Sequence, residues 1–125
     1  MKRSRYECGL EAALAVIGCK WKLMILYRLT SGTRRFGELR RAVTGISEKI
    51  LIQQLRELGA DGVVAREDFR EIPPRVEYSL TPFGVSLSEA LGPLCEWGRE
   101  HMSRIEGTKA RSESGAGEEA ARVGP

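Results

Sequence analysis

Four side chains between residues 49 and 56 have the types and spacing of a surface that reads base pairs. At about 100° per residue of an α-helix, Lys49, Ile52, Gln53 and Arg56 share one face. Lys and Arg donate to guanine O6 and N7, Gln pairs with adenine through two hydrogen bonds, and an aliphatic side chain contacts the thymine methyl group. Ser47 comes first, where free backbone N–H groups favour anions, and can bond a base or a phosphate. These residues predict a helix that enters the major groove of double-stranded DNA.

The same face could be an ordinary solvated helix surface, because charged residues usually lie on the exposed side of a helix. Its surroundings favour DNA. Residues 33–56 contain six basic and two acidic side chains, a larger positive excess than the net charge of the whole chain, +3. We predict phosphate contacts, which add affinity and salt dependence without sequence information, from Arg34, Arg35, Arg40 and Arg41. Arg70 and Arg75, near the wing tip, could reach a minor groove or its phosphates.

Apolar periodicity predicts the elements that would hold this surface in place. Helical spacing occurs over residues 10–17, 21–29, 36–43 and 47–61, and the last two segments have the order of a helix-turn-helix. Strand alternation occurs over residues 63–69 and 75–80, which we expect to form a hairpin, or wing. Thr81 and Pro82 then open a long helix. The predicted fold is mainly α with a small β-hairpin (α+β), a winged helix-turn-helix.

The end of the chain changes in composition. Residues 107–125 consist mainly of Gly, Ala, Ser and Glu with a few basic residues, which cannot bury a core, so we expect a disordered tail after one domain at residues 1–106. The helix before this tail has a longer apolar stripe than so small a core needs to cover. This surplus predicts a dimer interface that includes Leu87, Leu91, Leu94 and Trp97.

Other classes of protein lack their signatures in this sequence. The three cysteines and single histidine have no metal-binding spacing, so we expect no metal and no cofactor. A phosphate-binding Gly loop, a nucleophile elbow and a paired-carboxylate site are all missing, which argues against an enzyme. No apolar run approaches the roughly 20 residues that span a bilayer, and no signal-peptide core follows the basic start. We therefore expect a cytoplasmic protein with no membrane association.

Five short strings resemble the HxlR-type winged-helix transcriptional regulators. They are Gly-Cys-Lys-Trp-Lys at 18–22, Arg-Phe-Gly-Glu-Leu-Arg-Arg at 35–41, Gly-Ile-Ser at 45–47, Gln-Gln-Leu-Arg-Glu-Leu at 53–58 and Pro-Pro-Arg-Val-Glu-Tyr-Ser-Leu-Thr at 73–81. The resemblance extends from about Cys8 to His101. It implies a homodimer that binds an inverted repeat near a promoter, with the first helix, carrying Leu10 and Leu14, joining the last helix in the dimer contact. Members include repressors and activators.

Part of that family senses oxidants or small electrophiles through a cysteine just before the first helix, and Cys8 occupies this position. A thiol near a helix N-terminus and basic side chains resembles the setting of reactive cysteines, although Glu7 and Glu11 oppose this effect. Gly9 replaces the proline usual after this cysteine. Cys19 replaces a glycine of the family pattern and offers a possible disulfide partner. The other interpretation is that Cys8 is an inert, half-buried thiol.

Two further functions remain open from sequence. A winged helix can dock an acidic protein through an Arg-rich face, and steep salt dependence with discrimination among DNA sequences would argue against that role. A small thiol enzyme built around Cys8 is the weaker alternative, because no His or carboxylate constellation accompanies the cysteine.

Overall fold

Six helices and three short strands make up residues 5–114, the part of the chain that the structure, a computed structural model, describes. The helices are α1 (Gly9–Ile17), α2 (Lys20–Leu29), α3 (Phe36–Ala42), α4 (Glu48–Ala60), α5 (Pro82–Glu100) and α6 (Met102–Ser114). The strands are β1 (Arg34–Arg35), β2 (Val64–Asp68) and β3 (Val76–Leu80), and they form an antiparallel sheet in the order β1-β3-β2. This is the mainly helical winged helix-turn-helix that the sequence predicts.

The core of the domain surrounds α2. Its apolar residues are buried on most sides, which agrees with the apolar character of residues 21–29 and follows from its contacts with α4, β3, α1 and α3. The core residues that are least exposed come from α2, α3, α4 and the residues flanking them, namely Ile25, Leu26, Leu39, Val43, Leu51, Leu58 and Val63. The core therefore fixes α4 against α2 from its buried side.

Two elements differ from the sequence prediction. Arg34 and Arg35 form a third strand, pairing with Tyr78 and Glu77 of β3, and two-residue strands have no periodicity that a sequence could display. At the other end, α6 extends to Ser114, eight residues beyond the boundary predicted at 106, because Lys109, Ala110 and Arg111 are good helix formers. The rest of the predicted tail, residues 115–125, lies outside the described residues.

The chain divides into two compact units between Glu89 and Ala90. The first contains α1 to α4, the sheet and the beginning of α5. The second contains the remainder of α5 and α6, and in it the Trp97 and His101 rings stack with their centroids 4.7 Å apart. Across residues 5–114, none of the helices has the length and apolar character needed to cross a membrane.

Candidate nucleic-acid interface

The N-terminus of α4 is capped by its own sequence. The Ser47 hydroxyl accepts a hydrogen bond from the backbone N–H of Ile50 over 3.2 Å, as the predicted N-cap should. Leu51, Leu55 and Leu58 are buried on the opposite side from the solvent. The cap and the buried stripe together fix where the helix begins and which face it exposes.

The exposed face of α4 carries the four side chains that the sequence selects. Lys49, Gln53 and Arg56 are exposed, and Ile52 is 39% exposed. The structure thus brings all four to one solvent-facing surface, as the helical spacing predicts. A face with two cations, an amide and an aliphatic group matches the chemistry of the base edges in a major groove.

The arginines around α4 differ in what they contact. Arg34 donates from Nε to the carbonyl of Arg28 over 2.8 Å and from its guanidinium to Ser31 Oγ over 3.1 Å, so it closes the C-terminal end of α2. Arg40 lies 3.6 Å from Glu48 in an exposed ion pair. Arg35, the N-cap residue of α3, and Arg41, in the last turn of that helix, are exposed. Three of these four predicted phosphate contacts are thus presented to solvent, and Arg34 is held by backbone and hydroxyl groups.

The wing holds Arg75 inside its own structure. The Arg75 guanidinium lies 3.7 Å above the centroid of the Phe69 ring, and its nitrogens lie 3.0 Å from Glu71 and 3.6 Å from Glu77. Arg70 is exposed, with a left-handed backbone at φ 53° that a bond from its N–H to Asp68 Oδ1 stabilises. Arg70 is therefore presented at the wing tip, while Arg75 orders the hairpin.

A basic residue that sequence reasoning missed lies on β2. Arg66 is exposed, pairs in register with Tyr78 and lies 4.0 Å from Asp68 in an exposed ion pair. Together with Ile52 and Arg56 it lines a groove of about 620 Å³ between α4 and the wing. Arg66 falls within the strand that the sequence predicts over residues 63–69, so its place on the wing could have been recognised from sequence.

Two polar contacts attach α4 to the start of α2. Cys19 donates from its thiol to Gln54 Oε1 over 3.5 Å, and Lys22 Nζ lies 2.6 Å from Glu57 Oε1. Lys22 is 7% exposed and Gln54 is 9% exposed, so both contacts lie at the buried edge of α4. The hydrogen bond and the positive charge of Lys22 hold the pKa of Glu57 below its ordinary value. Neither pair was expected from the sequence.

Cys8 occupies the N-cap position of α1, where it is an exposed free thiol with extended backbone. Its carbonyl accepts from the N–H of Ala12, and its side chain makes no cap hydrogen bond. Cys19, at the corresponding position of α2, is also an exposed free thiol. The alternative prediction, that the Cys8 thiol is half-buried, is therefore wrong.

The apolar residues predicted for a dimer contact are exposed to different degrees. Leu10 and Leu14 of α1 are 70% and 55% exposed. In the second unit Leu94 and Trp97 are 63% and 55% exposed, while Leu91 there and Leu87 in the first unit are half-buried. Each unit thus leaves large apolar side chains facing solvent in the single chain.

Comparison with known proteins matches residues 16–106 to the family model described as HxlR-like helix-turn-helix. The HTH-type transcriptional regulator YtcD of Bacillus subtilis is 48% identical over 107 residues, which cover 86% of this chain and 85% of YtcD. The redox regulator HypR in its reduced form superposes with a TM-score of 0.75 at 43% identity, over 80% of this chain and 99% of HypR. Diamide-treated YodB from B. subtilis superposes with a TM-score of 0.64 at 29% identity, over 77% of this chain and 96% of YodB.

Proposed function

The chain belongs to the HxlR-like helix-turn-helix family of transcriptional regulators, and we propose that it binds an inverted repeat in double-stranded DNA as a homodimer. Regulators of this type bind DNA, which is not in itself a catalytic role. The observation that carries the proposal is the exposed face of α4, where Lys49, Ile52, Gln53 and Arg56 point away from the buried leucines. Ser47 adds a hydroxyl that can still donate its proton while its oxygen caps the helix.

Phosphate contacts would orient α4 in the groove. Arg35, Arg40 and Arg41 precede the helix and are exposed, and Arg70 lies at the wing tip. Arg66 joins them as the cation on the wing that shares a groove with α4. We assign the inner positions, Arg34 and Arg75, to supporting roles in which they hold the backbone that presents the outer arginines.

The homodimer would come from the exposed apolar side chains of α1 and of the C-terminal helices, including Leu10, Leu14, Leu94 and Trp97. Burial of such residues against a second copy is favourable at about 25 cal/mol per Å² of apolar surface. Two copies of α4 related by a twofold axis bind successive major grooves when they lie about 34 Å apart. An inverted repeat is the sequence that such a pair would select.

Selection from a random duplex library tests this function directly. The purified protein should enrich a palindrome, and the affinity for it should fall steeply as salt increases, because the arginines release counterions from phosphates. Recovery of no motif by a folded dimer at moderate salt would contradict specific DNA binding. That result would instead favour the interaction module that docks an acidic protein through the same basic face.

We further propose that DNA binding responds to oxidants or electrophiles through Cys8. Support comes from the exposed Cys8 thiol at the N-terminus of α1, from exposed Leu10 and Leu14 on the same helix, and from the redox regulator among the similar structures. Modification of Cys8 would act by changing how two α1 helices pack. Cys19 is the candidate partner if two thiols are oxidised to a disulfide.

The test compares operator binding before and after diamide or quinone treatment in the wild type and two cysteine variants. Cys8→Ser should abolish the response, while Cys95→Ser, which removes another exposed thiol, should preserve it. An unchanged response in Cys8→Ser would contradict the assignment. Peroxidase or reductase turnover that disappears in Cys8→Ser would instead support the thiol-enzyme alternative.

A further inference from the structure

A chain of polar contacts leads from the interior of the domain to one side chain of the base-reading face. The ammonium of Lys22 lies 2.6 Å from Glu57 Oε1. The second oxygen, Glu57 Oε2, accepts from the side-chain amide of Gln53 over 3.5 Å. Glu57 therefore joins a buried cation of α2 to an exposed residue of α4.

At the buried end of this series of contacts, Lys22 accepts only one orientation of the group that faces it. An ammonium group has three donors and no acceptor, so whatever faces it must offer an oxygen. The Lys22 side chain is 9% exposed, which leaves little water to replace that oxygen. Gly18, with φ 67°, gives the ammonium its space, because a β-carbon there would lie 3.2 Å from Nζ. Lys22 consequently determines which atom of residue 57 points toward α2.

The exposed end is constrained in turn. An ionised carboxylate only accepts hydrogen bonds, so the Gln53 amide must direct its nitrogen, and not its oxygen, at Glu57. One N–H of the Gln53 amide is then used, which leaves Gln53 Oε1 and the second N–H of Gln53 for a ligand. Adenine offers an N6 donor and an N7 acceptor in the major groove, which fits this pair, whereas guanine offers two acceptors, O6 and N7.

We propose that Glu57, whose carboxylate is held by Lys22, is a positioning residue that fixes the Gln53 amide in the orientation that selects adenine. This inference rests on the proposed function, because it requires Gln53 to face a base. It assigns Glu57 a part in sequence preference although its carboxylate does not need to touch DNA. The effect of Glu57 should therefore fall on one base pair of each half-site rather than on the whole operator.

Glu57→Gln is the decisive variant. Lys22 still requires an oxygen, so the amide introduced at position 57 must direct its nitrogen at Gln53. Gln53 must then accept that hydrogen bond with its oxygen. The amide nitrogen of Gln53 consequently faces the DNA with two donors. In selection from a random library, the preference for adenine over guanine at the Gln53 position should fall by about fivefold or more, with much smaller changes at other positions.

Lys22→Met supplies the matched control. Alone, it leaves the Glu57 carboxylate as an acceptor for Gln53, so adenine preference should persist. In the Lys22→Met/Glu57→Gln double variant nothing orients the introduced amide, and the preference should become intermediate. The double variant also removes the buried charge. If Glu57→Gln alone does not fold, an unchanged adenine preference in the double variant overturns the proposal.

Gln53→Ala separates the failure of this inference from failure of the proposed function. It should abolish the preference at one position of each half-site. If it alters no single position, Gln53 does not read a base and the proposed base contact fails. If it alters one position that Glu57→Gln leaves unchanged, Gln53 reads that base but Glu57 does not orient it. A uniform loss of affinity in Glu57→Gln, with base preferences kept, would indicate a purely structural role.

Discussion

The Cys19 thiol donates a hydrogen bond to Gln54 Oε1 over 3.5 Å, and this bond connects the first residue before α2 with the buried side of α4. Gln54 is only 9% exposed, so its oxygen cannot readily exchange the thiol for water. A buried acceptor without a partner costs more than the bond itself contributes. Cys19 thus supports α4 directly.

We expect Cys19→Val to lower the free energy of unfolding by about 1–2 kcal/mol, because the branched side chain fills the space of the thiol without donating to Gln54. Cys19→Ser retains a donor and should lose less. Urea denaturation with an unchanged slope provides the measurement. Equal losses in the two variants would show that the hydrogen bond contributes nothing beyond volume.

The Lys22–Glu57 pair should give stability a defined dependence on pH. Lys22 holds the pKa of Glu57 in the folded chain below the ordinary 4.5, so the ionised carboxylate stabilises the fold above that value. The contribution is lost as pH falls through the lowered pKa of the folded state. The gap in unfolding free energy between wild type and Glu57→Gln should therefore narrow as pH decreases from about 6 to about 3.

Lys22→Met is the reference for this pH dependence. Without the ammonium, introducing Glu57→Gln should change the unfolding free energy by much the same amount at both pH limits, because the largest causes of the lowered pKa, the hydrogen bond and charge of Lys22, have been removed. Chemical denaturation of the four chains across the pH range measures the coupling. A gap that narrows equally in the Lys22→Met background would assign the pH dependence to other groups.

Sequence patterns predicted those structural features that residues close together in the sequence determine. The Ser47 cap follows from the residue type at the helix start, and the buried leucines of α4 and the exposed face opposite them follow from the helical period. Strand β1 does not, because Arg34 and Arg35 become a strand only by pairing with β3, far along the chain. Sequence could not reveal this pairing.

The charged groups show the same division. Arg75 was predicted to contact phosphate because of its type, but Phe69, Glu71 and Glu77 surround it once the hairpin forms. Lys22 looks like a surface residue in sequence, and only the packing of α2 against α4 buries it beside Glu57. Composition identifies a basic surface, whereas tertiary contacts decide which cations remain on it.

Arg66→Ala and Arg75→Ala should therefore differ in kind. Arg66 is exposed beside the groove next to α4, so its loss should weaken operator binding at all sequences alike and reduce the salt slope by about 1. Arg75→Ala should instead lower the stability of the wing with little change in the slope. Binding isotherms at three salt concentrations, with thermal unfolding of each variant, measure both effects. Equal slopes for wild type and Arg66→Ala would contradict the phosphate contact.

Gly84 lies where the start of α5 approaches the backbone of Val63. A β-carbon at Gly84 would stand 2.1 Å from the Val63 carbonyl oxygen, so in Gly84→Ala one of the two backbone segments must move. Because overpacking typically costs about 1–3 kcal/mol, we expect Gly84→Ala to lower the free energy of unfolding by at least about 1 kcal/mol. Gly98→Ala is the matched control in the same helix, because nothing lies within 4 Å of its β-carbon. It should stabilise the helix by up to about 1 kcal/mol. Thermal unfolding would contradict this account if the two variants changed stability in the same direction.

A charge on the exposed apolar side chains should separate the proposed dimer. Leu14→Lys and Leu94→Lys each place an ammonium where burial against a second copy would leave it without a partner, so the dissociation constant should rise by at least tenfold. Ile72→Lys is the matched control, because Ile72 is 99% exposed on the wing and has no part in the proposed contact. Sedimentation equilibrium measures the dissociation constants.

Because a palindrome needs both copies of α4, loss of the dimer should also reduce affinity for the full operator far more than affinity for a half-site. A Leu14→Lys chain that still dimerises like wild type would remove α1 from the interface, and with it the route by which Cys8 is proposed to act.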